Sequence, residues 1–265
     1  MIGKKGLDRE LSILRALIDN GVPCVLTDLT NTIRYGDICV LVHDDPRFIE
    51  VKSSSTKDRR TIKQKRRLNE LAKFYDEDEA LGFRGMHSAR RRVIPRRLVS
   101  YSNALNECIE KASKFGNGYI NPEAGLHIVV LCDDTKIENI LGKIDIAQPA
   151  IFSLNHAKSE RQWAPLYPYT LLIEAQKALY DFIRGELYII VLLDMKVITE
   201  LITSAGYNYE LNADIETPIK LFKDDPEKYI LIGHLFVRCG MEVLSPKWLV
   251  ETAVSGLEGF LNEME

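Results

Sequence analysis

The stretch from Tyr35 to Ser55 reads YGDICVLVHDDPRFIEVKSSS, and it decides how the first part of the chain is expected to fold. Apolar and β-branched residues dominate both halves of the stretch, as in β-strands, and the HDDP between them is typical of a turn. The pattern predicts a β-hairpin whose strands cover 33–42 and 47–52. Pairing of the two strands brings charged residues that are distant in sequence into one neighbourhood.

The position of the turn sets the predicted register of this hairpin. If the turn is centred on the two aspartates of HDDP, Asp37 faces Lys52 and Cys39 faces Glu50. Residues directly opposite each other share a face of the sheet, and so do residues two apart on one strand. The register therefore places Asp37, Glu50 and Lys52 on one face, and a slip by one residue would separate them.

Two carboxylates beside an ammonium group suit metal-assisted chemistry at a phosphate. Mg²⁺ prefers oxygen ligands, keeps several waters, and is commonly held by one or two carboxylates together with substrate phosphate. A lysine beside the cation can hold the attacking water and offset negative charge in the transition state. The alternative is structural, namely a surface hairpin with a cross-strand salt bridge between Asp37 and Lys52.

Helices and strands are predicted on both sides of the hairpin. The leucine spacing indicates a helix over 7–20. The sequence then predicts a strand over 22–29 and, after the hairpin, a second helix over 59–75. Glu10 lies on the apolar side of the first helix, where the alternative is that it belongs to the polar edge. Gln64 shares the apolar face of the second helix, where the alternative is a hydrogen-bonded core amide.

The order helix, strand, strand with Asp, strand with Glu-x-Lys, helix, strand resembles the PD-(D/E)xK nuclease superfamily, which has the restriction-endonuclease-like fold. The resemblance covers roughly residues 7–75 and an apolar strand predicted at 126–132, about a third of the chain. It implies that Asp37 and Glu50 are ligands of Mg²⁺ or Mn²⁺ and that Lys52 is the catalytic lysine.

Two further residues gain a role through this resemblance. Many members place a glutamate on the first helix, which makes Glu10 a third candidate metal ligand. Several exonuclease-like branches place a glutamine on the helix after the lysine strand, which makes Gln64 a candidate catalytic residue. The chain departs from the family pattern in having Gly36, and not proline, before Asp37. This position varies widely in the superfamily, so the departure concerns the subfamily.

The predicted fold class is α/β, with a mixed central sheet flanked by helices. We expect residues 1–148 to form the nuclease core, with a basic insert at about 76–125. Residues 149–265 are expected to form a C-terminal α/β elaboration or a second lobe of the same domain. In that part the sequence predicts strands at 187–193 and 229–236 and a last helix that begins after a Ser245 cap.

Charge is distributed unevenly along the chain. Between Lys57 and Arg97 there are 14 Lys and Arg but six Asp and Glu, so a chain with a net charge of −3 has a local charge of +8. Such a block is typical of a surface that binds a polyanion, and the alternative is a solvated helix face. The residues expected to contact a phosphate backbone are Arg59, Arg60, Lys63, Arg66, Arg67, Arg90, Arg91, Arg92, Arg96 and Arg97.

Composition and motifs argue against several other classes of protein. The longest apolar run, 187–193, is far shorter than the ~20 residues that cross a bilayer, and the first ten residues lack the apolar segment of a secretion signal. The five cysteines are scattered, which argues against a disulfide framework and a cysteine zinc site. No P-loop or dinucleotide motif is present. We therefore expect a cytoplasmic protein with no membrane partner.

The histidines show no spacing typical of metal ligands. His127 and His234 lie within segments predicted to be apolar strands, and this setting favours core positions for both.

These features predict a nuclease that hydrolyses phosphodiester bonds with Mg²⁺ or Mn²⁺, with DNA favoured over RNA and with low sequence specificity. The habits of the superfamily imply a protein partner, such as a helicase or a sensor, in repair, mobile-element processing or antiviral defence against phage. Endonuclease and exonuclease action, and a monomer and a homodimer, stay open. The alternative function is a non-catalytic module of the same fold that binds nucleic acid or scaffolds a complex.

Overall fold

A computed structural model describes residues 6–29, 35–42, 45–51, 59–83, 87–91, 94, 96–132, 140–158, 168–212 and 217–264. These residues form two compact units. Those up to Arg91 belong to the first, which we call the N-terminal unit, and those from Ile94 to Met264 belong to the second, the C-terminal unit. No helix in the described ranges is both long and apolar enough to cross a membrane.

The N-terminal unit combines a small sheet, two helices and a hairpin. Its elements are, in chain order, α1 (Leu7–Asp19), β1 (Cys24–Leu26), β2 (Ile38–Val40), β3 (Arg47–Ile49), α2 (Arg59–Glu77), β4 (Glu79–Leu81) and β5 (Ser88–Arg90). Strands β1, β2 and β3 form an antiparallel sheet in that order, and β4 pairs with β5. Both helices match the sequence prediction to within two residues.

One face of the β1-β2-β3 sheet forms the apolar core of this unit. Ile38 and Val40 of the central strand pack with Leu26 of β1, and all three are buried. Partly buried residues of α1, among them Leu11 and Leu14, close over them. The helix is therefore held by its apolar stripe, as its leucine spacing predicts.

The register of β2 with β3 differs from the prediction by two residues. Ile38 pairs with Ile49 and Cys39 pairs with Phe48, so the expected pairing of Cys39 with Glu50 is wrong. Asp45, which the sequence assigns to the turn, forms an ion pair with Arg91. Because the shift is by an even number of residues, each side chain keeps the face of the sheet that was predicted for it.

The C-terminal unit contains the longer strands and most of the helices. Its elements are, in chain order, α3 (Ser102–Phe115), β6 (Asn117–Glu123), β7 (Leu126–Cys132), β8 (Pro149–Ser153), α4 (Leu154–Lys158), α5 (Gln176–Arg184), β9 (Leu187–Asp194), α6 (Met195–Ser204), β10 (Asn208–Leu211), β11 (Ile219–Phe222), β12 (Tyr229–Ile232), α7 (His234–Met241) and α8 (Pro246–Asn262). The main sheet has the order β6-β7-β9-β8, and β10, β11 and β12 form a second sheet. The predicted Ser245 cap is confirmed, since its Oγ accepts a hydrogen bond from Trp248 N–H at 3.0 Å.

The α/β class is confirmed, whereas three finer expectations differ from the structure. Each strand pairing that the structure describes is antiparallel, so the mixed sheet is not found in these ranges. The 126–132 strand, expected in the nuclease core with residues 7–75, pairs with β6 and β9 in the C-terminal unit. The strand predicted at 229–236 ends at Ile232, and α7 begins at His234. Local apolar patterns cannot distinguish which sheet a buried strand joins.

Candidate active site

Asp37 and Glu50 lie at the same end of the β2–β3 ladder. They directly adjoin its last pair, Ile38 and Ile49, whose side chains face the apolar core. The two-residue period of a strand therefore turns both carboxylates to the opposite face. The structure thus brings these two predicted residues together, while Lys52 lies outside the described residues.

Two hydrogen bonds fix Asp37 against the strand that carries Glu50. Its backbone N–H donates to the carbonyl of Ile49 at 2.8 Å, and its Oδ2 accepts from the N–H of Val51 at 2.7 Å. A carboxylate has two oxygens with about four acceptor positions, so this bond is compatible with a metal ligand. The orientation of Asp37 is set before any ligand binds.

Thr27 holds the same segment from the opposite side. Its backbone N–H donates to the carbonyl of Asp37 at 3.0 Å, and its Oγ1 donates to the carbonyl of Gly36 at 2.6 Å. The residue is buried, which makes such bonds costly to leave unmade. Sequence reasoning missed Thr27, because a threonine after a short strand carries no specific signal.

Gly36 is required by both its conformation and its surroundings. Its φ is +64°, and a Cβ at this position would lie 2.9 Å from the carbonyl oxygen of Ile49 and 3.2 Å from Cβ of Phe48. Proline is restricted to φ near −65°, so the proline of the family pattern cannot stand here. The structure therefore explains why glycine and not proline precedes Asp37. Gly36 has no side chain, so the backbone before Asp37 can approach β3 closely.

Glu10 is buried on α1, with 4% of its surface exposed. The alternative that it belongs to the solvated edge of the helix is therefore wrong. A buried carboxylate is costly unless it has partners, so burial sets Glu10 apart from the exposed Asp8 in the first turn of the same helix. Among the side chains in the described ranges, however, no three from His, Cys, Asp and Glu approach closely enough to hold a metal ion.

Gln64 on α2 and Cys39 on β2 are two further polar residues of the N-terminal unit. Gln64 is half-buried on the stripe of α2 that includes Leu68 and the buried Leu71, so its predicted inward orientation is confirmed. Cys39 is fully buried, and burial together with nearby Cys24 raises the pKa of its thiol. It is therefore protonated at neutral pH and contributes packing, not a thiolate ligand.

The basic residues of α2 are largely exposed. Lys63 and Arg67 face solvent, and Arg66 pairs with Glu70 at 2.7 Å while 79% of its side chain stays exposed. Such an exposed i,i+4 pair is weak and can open to accept a phosphate. Arg59 and Arg60 belong to α2, but the structure does not describe their side chains, and Arg92 lies outside the described residues.

Three of the arginines after α2 have acidic partners within the protein. Arg90 pairs with Glu79 at 3.0 Å in the N-terminal unit, and Arg96 pairs with Glu251 at 3.0 Å in the C-terminal unit, where Arg97 is exposed. Arg91 is only 31% exposed and contacts Asp45, Asp78 and Tyr75. Arg90, Arg91 and Arg96 are therefore already engaged by carboxylates of their own unit.

The two histidines expected in the core differ in their surroundings. His127 lies on β7, where its Nδ1 is 2.9 Å from the hydroxyl of Tyr119 and burial lowers its pKa, but the residue is only partly buried, so it borders the core without belonging to it. His234 is exposed at the start of α7, so for it the expectation is wrong. Neither belongs to a metal-binding group in the part of the chain that the structure describes.

Comparisons with known proteins add no relative to this picture. No protein-family model, no curated protein and no solved structure matches the chain. The functional interpretation therefore depends on the residues of the N-terminal unit and their geometry.

Proposed function

We propose that the N-terminal unit is the catalytic part of a Mg²⁺- or Mn²⁺-dependent nuclease with a restriction-endonuclease-like core. The observation that carries the proposal is the position of Asp37 and Glu50 beside the last pair of the β2–β3 ladder. Lys52 follows Glu50 by two residues in the sequence and lies outside the described residues, so its part in the proposal depends on the Glu-x-Lys motif alone.

The donor set fits a hard divalent cation. Asp37 and Glu50 offer the carboxylate oxygens that Mg²⁺ and Mn²⁺ prefer, whereas Glu10 does not form a three-carboxylate cluster with them among the described side chains. Two protein ligands are sufficient, because Mg²⁺ keeps several waters and accepts oxygens of a substrate phosphate. When bound, the cation supplies Lewis acidity at the phosphate and lowers the pKa of a water ligand.

The chain's own residues supply orientation and charge. The bond from Val51 N–H holds Asp37 in place, so little reorganisation is needed when the reaction begins. The ammonium group of Lys52 orients the attacking water and offsets the negative charge that builds up at phosphorus. Lys63 and Arg67 on the exposed side of α2 hold the phosphate backbone without reading its sequence.

The substrate and context that fit these features are those expected from the sequence. The substrate is nucleic acid, with DNA favoured over RNA, and sequence specificity is low because the assigned contacts are to phosphates. A protein partner such as a helicase or a sensor delivers the substrate, in repair, mobile-element processing or antiviral defence.

A second candidate is a non-catalytic module of the same fold. The observation that favours it is the absence, within the described ranges, of three clustered metal-ligating side chains. Such a module would bind nucleic acid or scaffold a complex, and the site carboxylates would serve the hairpin alone.

The experiment that tests the proposal compares Asp37→Ala, Glu50→Ala and Lys52→Ala with the unmodified chain. Plasmid, linear duplex, single-stranded DNA and RNA are incubated with Mg²⁺, Mn²⁺ or Ca²⁺, and initial cleavage rates are measured. Each variant should lose at least about 100-fold in rate, because each change removes charge that acts in the transition state. Ca²⁺ should support binding without cleavage, since it accepts the same oxygens in a looser geometry.

Asp8→Ala is the matched control, because Asp8 is an exposed carboxylate of the same unit. It should keep the full rate, and circular dichroism should show folded protein for all four variants. Unchanged cleavage in the three site variants would refute the assignment of these residues. If the unmodified chain binds nucleic acid but does not cleave any of the four substrates, the non-catalytic module is the correct interpretation.

A further inference from the structure

The guanidinium group of Arg91 contacts residues before β3, in the last turn of α2 and directly after α2. Its Nη2 and Nη1 bind Oδ1 and Oδ2 of Asp45, the first at 2.5 Å and the second at 3.3 Å. Nη1 also donates to the carbonyl oxygen of Tyr75 at 3.0 Å and lies 3.2 Å from Oδ1 of Asp78. The group stands over the ring of Tyr75, 4.8 Å from its centroid. One side chain thus contacts the β2–β3 hairpin and the end of α2.

The contacts at α2 have the character of a helix cap. Tyr75 is among the last four residues of α2, whose carbonyls have no partner within the helix. Asp78 follows the helix with a φ of +57°, and its carbonyl accepts the N–H of Arg91 at 2.8 Å. A cation beside the C-terminus also interacts favourably with the helix dipole. Arg91 therefore fixes the end of α2 with its backbone and its side chain.

The contact with Asp45 extends this fixation to the hairpin of the site. Asp45 shortly precedes β3, the strand that leads to Glu50, and its side chain is 24% exposed. A two-pronged arginine–carboxylate pair at this burial is geometrically specific and stronger than a solvated pair. The apolar cluster of the sheet consists of residues from 11–51. Arg91 lies outside that cluster and connects the hairpin to α2 by polar contacts, which we call the Arg91 tie.

We propose that Arg91 is a positioning residue that fixes the hairpin bearing Asp37 and Glu50 relative to the helix bearing Gln64. The inference rests on the proposed nuclease function for its catalytic consequence, but the tie itself is a property of the fold. Arg91 differs in its role from the exposed basic residues of α2, because its donors are directed to Asp45, Tyr75 and Asp78 and not to solvent. Loss of Arg91 misplaces groups that must act together, and a displacement of about 1 Å can lower a rate about 100-fold.

The test measures hydrogen exchange of backbone amides in Arg91→Ala, Arg91→Lys, Asp45→Ala and the double alanine variant. Amides of 38–51 and of the last turn of α2 should exchange at least about tenfold faster in each single variant. Arg91→Lys keeps the charge but loses the two-pronged geometry, so it should also exchange faster. The double variant should resemble the single ones, because both changes break the same contact. Lys73→Ala, which removes an exposed pair with Glu77, is the control and should not change exchange.

Cleavage kinetics provide the second readout. We expect kcat to fall about 10- to 100-fold in Arg91→Ala while KM changes less than about twofold, since positioning and not substrate binding is impaired. Unchanged exchange in Arg91→Ala and Arg91→Lys would overturn the proposal, and so would a rise in KM at constant kcat, which indicates a phosphate contact. If the unmodified chain does not cleave nucleic acid, the nuclease proposal fails, and the exchange data alone still establish or overturn the tie.

Discussion

The two units of this protein are stabilised in different ways. In the C-terminal unit, β7 and β9 have seven and eight residues, nearly all buried, and pair along their whole length. In the N-terminal unit, β1, β2 and β3 have three residues each, and polar groups join the elements. Thr27, Asp37 and Arg91 make hydrogen bonds there in addition to the small apolar core of the sheet.

The difference shows where charged chemistry can be accommodated. A strand that is apolar on both faces has no place for a carboxylate without a large desolvation cost. A short strand with polar ties beside it can hold Asp37 and Glu50 at its end, where backbone groups orient them. We therefore associate the proposed catalysis with the N-terminal unit and the longer buried strands with the C-terminal unit.

The largest effect on stability is expected from a cavity in the core of the C-terminal unit. Ile128 lies near the centre of β7 and is fully buried, so Ile128→Ala should cost about 2–5 kcal/mol of unfolding free energy. Ile151→Ala is the control, since Ile151 lies on the same sheet but is 56% exposed. Denaturant titration followed by tryptophan fluorescence measures both. Equal, small losses would show that apolar burial does not stabilise this unit.

A smaller loss is expected from Gly36→Ala in the N-terminal unit. The new methyl group would meet the carbonyl oxygen of Ile49 at 2.9 Å, in addition to the strain of a positive φ, which costs about 1–3 kcal/mol. Gly82→Ala isolates the second contribution, because Gly82 has a φ of +67° with open space around it. We expect Gly36→Ala to be the less stable of the two and to lose cleavage, because Asp37 follows directly. Equal stability and equal cleavage would show that the close approach has no importance.

The smallest effect is expected at the exposed side of α2. If Lys63 and Arg67 neutralise phosphates of duplex DNA, each neutralised phosphate contributes about −0.9 to the slope of log affinity against log salt. Reversal of both residues to glutamate should remove these two contributions and flatten the slope. Binding should weaken about equally for all sequences. Reversal of both Lys114 and Lys228 to glutamate, at exposed positions of the C-terminal unit, controls for the same change in net charge. An unchanged slope in the double reversal would identify this side of α2 as a solvated face.

The sequence predicts the elements whose signal is local. The apolar periodicity of α1 and α2 and the apolar runs of β7 and β9 reproduce their bounds to within about two residues. The shared face of Asp37 and Glu50 is also predicted correctly, because the error in the register is an even number of residues. Strand β6, with the sequence NGYINPE, is missed because its polar residues and its glycine and proline are typical of loops.

Features that depend on distant partners could not be predicted. Asp45 is part of a turn signal, but in the structure it binds Arg91, which is 46 residues away, and the predicted register fails by two residues. The sequence groups Arg91 with its basic neighbours, because a run of arginines gives no sign of which one turns inward. Thr27 acts through a backbone carbonyl, and such a contact has no counterpart in the sequence pattern.

The 2.7 Å bond from Val51 N–H to Asp37 Oδ2 joins the first carboxylate to the backbone midway between Glu50 and Lys52. Any shift of that backbone therefore carries Asp37 with it. Metal coordination depends on the distances between the ligand atoms. Motion of the whole hairpin as a rigid group would therefore leave the distance between the carboxylates of Asp37 and Glu50 unchanged. In the proposed metal site the segment would therefore act as a single chelating group, and motions that preserve this one bond would disturb it least.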